Sequence, residues 1–133
     1  MSEYWEKFAA GPNLARDVRL HVTIDKKNVI RMNRVVHRML GSPVAVALFF
    51  NKRHSMIGIV KADKDLKEAF PVTEHNGTFV VHARPMCLHY GIEIVGTQKF
   101  AMPSFDEEGI LKLDLSTTVR TTAKRRSKQV AAS

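Results

Sequence analysis

The stretch that decides the fold runs from residue 22 to residue 41 and reads VTIDKKNVIRMNRVVHRMLG. Apolar and polar residues alternate at residues 22–24 and again at residues 29–32, which predicts two half-buried strands joined by the polar turn at residues 25–28. From residue 35 the apolar residues recur at helical spacing. Asn33 suits the N-cap of this helix and Gly41 its C′ position. The stretch therefore predicts a strand, a turn, a second strand and a short helix.

A weaker copy lies fifty positions later, at residues 72–91, and reads VTEHNGTFVVHARPMCLHYG. Its His75-Asn76-Gly77 is a strong hairpin signal, and Pro85 suits the first turn of a helix. We expect a strand pair after each copy: residues 44–50 with 56–60, and residues 98–102 with 110–115 as a closing hairpin. The prediction is a β-rich α+β fold of two tandem β-β-α-β-β repeats that form one pseudo-symmetric domain.

These repeats divide the chain into five segments. Residues 1–17 are a leader, 18–62 the first repeat, 63–69 a charged linker, 70–115 the second repeat, and 116–133 a flexible basic C-terminal tail. The leader carries Tyr4, Trp5 and Phe8, which either fold back on the core or anchor a partner. The strand from Val44 to Phe50 is apolar on both faces, so we expect cover on both sides, from the other repeat or from a second subunit in a homo-oligomer.

Composition favours a polyanionic partner. Lys plus Arg is 21 against 13 acidic residues, which gives a formal net charge of +8. Such an excess is typical of proteins that bind nucleic acid or anionic surfaces, although it also serves simple solubility. Cys87 is the single cysteine, so no internal disulfide can form and a reducing compartment fits best. With neither a signal peptide nor an apolar run of membrane-spanning length, we expect a cytoplasmic protein that uses no membrane.

The pattern NVIRMNRVVHRMLG at residues 28–41 resembles the swapped-hairpin regulators of the AbrB, SpoVT and MraZ type. Ile30 and Met32 look like the inward positions of that family's strand, and His37-Arg38 looks like its helical basic pair. The resemblance implies a swapped-hairpin fold, DNA binding and transcription regulation. The stretch differs from the family's pattern at two places: Asn28-Val29 replaces the family's glycine-arginine, and Asn33 replaces its helix-starting proline. The chain also resembles small bacterial proteins to which no function is attached.

Basic residues gather on the first hairpin, on the first helix, on the turn at residues 51–55 and in the tail. We expect them to contact phosphates without reading bases, since no helix of groove size carries a set of base-reading side chains. DNA is the more expected partner, ahead of RNA, in a regulator-like or nucleoid-type role. The alternatives are ordinary solvated turns, and a structural subunit of a larger particle or nucleoprotein complex. The predicted nucleic-acid-binding residues are Lys26, Lys27, Arg31, Arg34, Arg38, Lys52, Arg53, Arg120, Lys124, Arg125, Arg126 and Lys128.

Nothing in the sequence predicts catalysis, a cofactor or a small-molecule substrate. His82, Cys87 and His89 lie close together in sequence but lack any recognised metal-ligand spacing. Cys87 has no accompanying glycine-rich elbow, so a buried structural thiol is the default interpretation. None of the seven glycines falls at the G-x-G spacing of a phosphate-binding loop. We therefore expect a binding protein and not an enzyme.

Overall fold

The computed structural model describes residues 19–120, which contain eleven strands, two short α-helices and one 3-10 helix. Most of the strands are short, and both helices follow directly on a strand of a hairpin. The bounds, in chain order, are β1 Val22–Ile24, β2 Val29–Met32, α1 Arg34–Met39, β3 Ala45–Asn51, β4 Met56–Lys61, β5 Phe70–Pro71, β6 Thr73–His75, β7 Thr78–His82, α2 Arg84–Tyr90, β8 Gln98–Phe100, β9 Ser104–Phe105, β10 Leu111–Asp114, the 3-10 helix Leu115–Thr117, and β11 Thr118–Arg120.

Local signals set the ends of the two helices. The Asn33 side chain accepts a hydrogen bond from the backbone N–H of Val36 at 3.2 Å, which makes it the N-cap of α1 as predicted. Gly41 follows the C-cap residue Leu40 with φ +98°, a conformation that glycine adopts without strain. In α2, Pro85 occupies the first turn and Gly91 ends the helix with φ +69°.

The strands form two antiparallel sheets. A six-stranded sheet has the order β11-β8-β1-β2-β7-β6, and a five-stranded sheet has the order β5-β3-β4-β10-β9. The predicted β6–β7 hairpin is present, and its turn places Asn76 and Gly77 at φ +54° and +85°, as a tight turn of this kind requires. The molecule is therefore a β-rich α+β protein.

One hydrophobic core joins both sheets and both helices. Ile24, Ile30 and Val81 come from the six-stranded sheet, and all three side chains are fully buried. They share the core with residues of the five-stranded sheet, of which Ile57, Ile59, Leu111 and Leu113 are also fully buried. Because these positions alternate along their strands, each sheet keeps an inner face in the core and turns an outer face toward solvent.

The predicted closing hairpin of residues 98–102 with 110–115 is wrong. β8 pairs with β1 and β11 in the six-stranded sheet, whereas β10 pairs with β4 and β9 in the five-stranded sheet. In this arrangement Leu111 lies opposite Ile59 and Leu113 opposite Ile57, so that apolar side chains meet on the inner face. Cross-strand pairs of this kind stabilise a sheet, and local alternation alone does not reveal them.

Regular secondary structure continues past residue 116, where the flexible tail was expected to begin. Residues 116–120 belong to the 3-10 helix and to β11, whose Thr118 hydroxyl donates to the Gln98 side-chain oxygen at 2.8 Å. The predicted features at residues 1–18 and 121–133, including Tyr4, Trp5 and Phe8, lie outside the described residues.

The described residues cover the strand from Val44 to Phe50 only in part. Ala45 and Val46 are buried, but Phe49 is 58% exposed and Val44 is 64% exposed. Cover of the exposed part by a second subunit, and association through this strand, stay predictions. Between residues 19 and 120, no helix is long and apolar enough to cross a bilayer.

Candidate nucleic-acid interface

The outer face of the six-stranded sheet carries a row of directly paired residues that crosses all six strands. We call this outer face the basic face. Lys99 and Arg31 lie on either side of Thr23 in the row, one strand away from it in each direction. The complete row, from β11 to β6, is Val119, Lys99, Thr23, Arg31, Val80 and Thr73. Neighbouring strands are about 4.8 Å apart, which separates the backbones of Lys99 and Arg31 by about 10 Å.

Strand alternation also places His21, His75 and His82 on the basic face. Two shallow clefts lie on this face. One cleft, of about 470 Å³, is lined in part by Arg19, His21 and Lys99. The other, of about 340 Å³, is lined in part by Arg31, His75 and His82. The cations and imidazoles of the face therefore converge in pairs on concave surface, where an anionic group can contact more than one of them at once.

Asp25 is the one carboxylate that strand alternation places on the basic face among residues 19–120. It accepts a hydrogen bond from Arg31 Nη1 at 2.7 Å and from the backbone N–H groups of Lys27 and Val29 at 2.9 and 3.0 Å. Burial acts to raise the pKa of Asp25, but these hydrogen bonds outweigh it and hold the pKa below its ordinary value of 3.8. Asp25 thus stays ionised, orders the β1–β2 turn and orients Arg31.

Three of the predicted residues lie together around this turn. Lys26 and Lys27 are exposed on the β1–β2 turn itself, and Arg31 stands on the adjoining strand with 45% of its side chain exposed. The turn therefore adds two cations to one end of the basic face. Asp25 neutralises part of the charge that Arg31 brings.

The other predicted residues are dispersed. Arg34 and Arg38 are exposed on α1, on the inner side of the sheet, and the Arg34 guanidinium lies against the Gly77 turn. Lys52 and Arg53 are exposed on the turn that joins β3 to β4 in the other sheet. Arg120 pairs with Gln98 and lies against Gly96. Because Gln98 precedes Lys99 on β8, Arg120 belongs to the opposite face of the sheet from Lys99. Lys124, Arg125, Arg126 and Lys128 lie outside the described residues.

Sequence reasoning missed Arg19, Lys99 and the three histidines of the basic face. Lys99 carried a usable signal, because it stands between Gln98 and the buried Phe100 and so had to point outward from its strand. Nothing in the sequence indicated that Lys99 lies beside Thr23. That neighbourhood depends on the pairing of β8 with β1, two strands that lie far apart in the chain.

The Cys87 thiol is buried, and the His37 ring is held by two neighbouring groups. Burial raises the pKa of Cys87 to about 11, so the thiol stays protonated and is a poor nucleophile. The His37 ring stacks on Phe79 with centroids 3.7 Å apart, and its Nε2 lies 2.8 Å from the Pro43 carbonyl oxygen. In the described part of the chain, no three His, Cys, Asp or Glu side chains are grouped as a metal site requires.

Comparison of the chain with protein-family models, with curated proteins and with solved structures finds no match.

Proposed function

We propose that this protein binds nucleic acid through phosphate contacts on the basic face. The observation that carries the proposal is the charge pattern of that face. Lys99 and Arg31 share one row across the sheet, Lys26 and Lys27 extend it at the β1–β2 turn, and Asp25 is its only carboxylate within residues 19–120. The charges of the Asp25–Arg31 pair cancel in part, so Lys26, Lys27 and Lys99 supply the net positive charge.

Phosphate chemistry matches what this face offers. Lysine ammonium and arginine guanidinium groups neutralise phosphates and release condensed counterions, and this release supplies most of non-specific affinity for nucleic acid. Thr23 and Thr73 add hydroxyl groups in the same row, and hydroxyls are common donors to phosphate oxygens. A sheet face with these groups can position a nucleic-acid backbone without reading its bases.

The helices are too short to favour base readout, so they are consistent with binding through phosphates. α1 has six residues and is therefore about 9 Å long, which is short for a recognition helix in a major groove. Arg34 and Arg38 are exposed on α1, but they lie on the inner side of the sheet, away from the basic face. We therefore propose general binding of the regulator-like or nucleoid type, with DNA as the preferred partner. The residues proposed for contact are Lys26, Lys27, Arg31 and Lys99.

We also propose that the fold arose by tandem duplication of a β-β-α-β-β unit. In support, β2 pairs with β7, which occupies the same position in the second unit, and Ile30 lies opposite Val81 near the middle of this pair. β4 likewise pairs with β10. Each helix follows the second strand of a hairpin, as a duplication requires.

A salt series of fluorescence anisotropy measurements tests the proposed function. Labelled duplex DNA and duplex RNA are titrated with the full chain between about 50 and 200 mM salt. Three or four phosphate contacts predict a fall in affinity of about 40-fold to 150-fold over this range. Truncation after Arg120 removes four further basic residues while it leaves β11 intact, and we expect a shallower slope from it. A response that does not change with salt contradicts the proposal.

A further inference from the structure

We infer that the outer face of the five-stranded sheet is a stacking platform for the bases of an unpaired nucleic-acid strand. This inference rests on the proposed function and names a second contact surface for the same class of ligand. The platform is the surface formed by Phe49, Met56, Gly58, Ile110 and Lys112. It lies on a different sheet from the basic face, so variants can separate the two surfaces.

The centre of the platform is an exposed aromatic ring on a strand in the interior of its sheet. Phe49 is 58% exposed on β3 and lies opposite Gly58 on β4, which in turn lies opposite Lys112 on β10. Because Gly58 has no side chain, no group from β4 stands between the ring and the lysine. Ile110 and the Phe49 Cβ close over Gly58, with the Ile110 Cγ2 atom 3.2 Å from where a Cβ would lie.

These residues form a shallow apolar cleft of about 520 Å³ with a charged rim. Met56 and Ile110 supply its apolar walls, and Lys52 and Lys112 supply ammonium groups at its edge. An exposed aromatic ring and apolar side chains beside two lysines match the chemistry of a nucleotide, whose base stacks on an aromatic ring while its phosphate contacts a cation.

The carboxylates near the cleft are engaged with backbone amides. Asp106 accepts from the N–H groups of Glu108 and Ile110 at 2.9 and 3.0 Å. Asp114 accepts from the backbone N–H and the hydroxyl of Ser116, and these bonds lower its pKa. Both carboxylates order turns, but a hydrogen bond from an amide does not remove the charge of a carboxylate. Asp106 itself lines the cleft with Lys52 and Lys112, so the three formal charges leave one net positive charge there, which is complementary to a phosphate.

An unpaired strand is the occupant that this geometry favours over a duplex. In a duplex the faces of the bases are stacked on each other and cannot reach an aromatic ring in a sheet. In a single strand every base offers its face, so binding tolerates different sequences. A strand also carries a phosphate at each nucleotide, which lets neighbouring phosphates contact Lys52 and Lys112 together.

A tryptophan at position 49 reports the stacking directly. Trp5 is the only tryptophan of the chain, so Phe49→Trp in a Trp5→Phe background gives one fluorophore at the platform. We expect oligothymidylate and oligouridylate to quench this fluorescence on binding, and a duplex of equal length to quench it at least tenfold more weakly. No quenching by the single strands, or equal quenching by the duplex, overturns the inference.

Anisotropy on the otherwise unchanged chain separates this inference from the proposed function. Phe49→Ala should weaken binding of a single strand about tenfold or more, the usual range for loss of one stacked base, and leave duplex binding unchanged. Val44→Ala is the matched control, since it removes an exposed apolar side chain from the other end of the same segment. Equal affinities of Phe49→Ala and wild type for the single strand, with salt-dependent duplex binding retained, overturn the platform alone. Absence of binding to any nucleic acid overturns both proposals.

A mass measurement in the same buffer distinguishes a strand from a second copy of this chain as the occupant of the platform. If a second copy covers Phe49, the wild type will have a dimer mass by light scattering and Phe49→Ala will have a monomer mass. That result overturns the inference. Equal masses for the two proteins, together with quenching by single strands, support it.

Discussion

At the scale of single residues, Asp25 connects the fold to the proposed function. Its carboxylate accepts the amides of Lys27 and Val29, which closes the β1–β2 turn, and it pairs with Arg31 at 2.7 Å. The same carboxylate places a negative charge on a face that we propose binds phosphates. Asp25 thus stabilises the turn and weakens the attraction for a polyanion.

Replacement of Asp25 by asparagine should therefore tighten binding of duplex DNA. Asparagine keeps an acceptor oxygen for the turn amides, removes one negative charge and frees the guanidinium of Arg31 to contact a phosphate. We expect an affinity gain on the order of threefold at 50 mM salt, shrinking as added salt screens the charges. Fluorescence anisotropy titrations of duplex DNA measure this gain in affinity. The matched control is Asp63→Asn, which removes a charge from the linker, and an equal gain in the control would contradict this role for Asp25.

The same variant gives a prediction for stability against pH. Because the pKa of Asp25 is lowered in the folded state, its ionised form stabilises the fold at every pH above the ordinary value of 3.8. This stabilisation is lost as pH falls through the lower pKa of the folded state. We expect the wild type to exceed Asp25→Asn in free energy of unfolding at pH 6, and the difference to shrink progressively as pH falls below 3.8. Urea denaturation of both proteins at pH 6, 4 and 3 measures this difference in free energy of unfolding. A difference that stays the same at all three pH values would contradict a stabilising role for the ionised carboxylate.

Asn28 gives a test of backbone strain. It lies at φ +63° with a side chain 4% exposed, and its buried Nδ2 group has no hydrogen-bond partner. Glycine adopts this conformation freely, whereas alanine is strained there by about 1 kcal/mol or more. We expect Asn28→Gly to exceed Asn28→Ala in free energy of unfolding by about 1 kcal/mol, measured by urea denaturation. Equal stabilities would mean that the turn relaxes away from the left-handed conformation.

At the scale of elements, the cap of α1 joins the helix to the segment that precedes β1. Asn33 Oδ1 accepts from the N–H groups of Val36 at 3.2 Å and His21 at 3.4 Å, and its Nδ2 donates to the Arg19 carbonyl oxygen at 2.7 Å. Asn33→Ala removes all three bonds and should cost about 1–2 kcal/mol in thermal or urea unfolding. Asn33→Asp keeps the acceptor and loses the donor, so it should cost less than the alanine variant. The opposite order would mean that the bond to Arg19 outweighs the cap.

The elements that sequence reasoning predicted correctly depend on neighbouring residues alone. Asn33, Gly41 and Pro85 set helix ends within one turn, and Asn76-Gly77 sets a hairpin between adjacent strands. The pairing of β8 with β1 depends instead on residues about 75 positions apart, Thr23 and Lys99. Alternation places a side chain on one of two faces but does not choose the partner strand. For that reason the closing hairpin was predicted wrongly.

At the scale of the whole molecule, the candidate site was only partly predictable for the same reason. Lys26, Lys27 and Arg31 are local to one hairpin, and the sequence placed them together. Lys99 lies near them only because β8 pairs with β1 in the six-stranded sheet, a pairing that the sequence did not indicate. Lys52 and Arg53 were also predicted to contact nucleic acid but lie on the other sheet, since a net charge of +8 does not reveal how the basic residues are distributed.

The most direct test of the central claim compares Lys99→Gln with Lys64→Gln in anisotropy titrations of duplex DNA from 50 to 200 mM salt. Lys99 lies on the basic face, and Lys64 is an exposed lysine of the linker, so both variants lose one charge. If Lys99 contacts a phosphate, Lys99→Gln lowers the slope of log affinity against log salt by about one unit, and Lys64→Gln leaves the slope unchanged. Equal slopes for both variants and the wild type would contradict the claim that this sheet face binds nucleic acid.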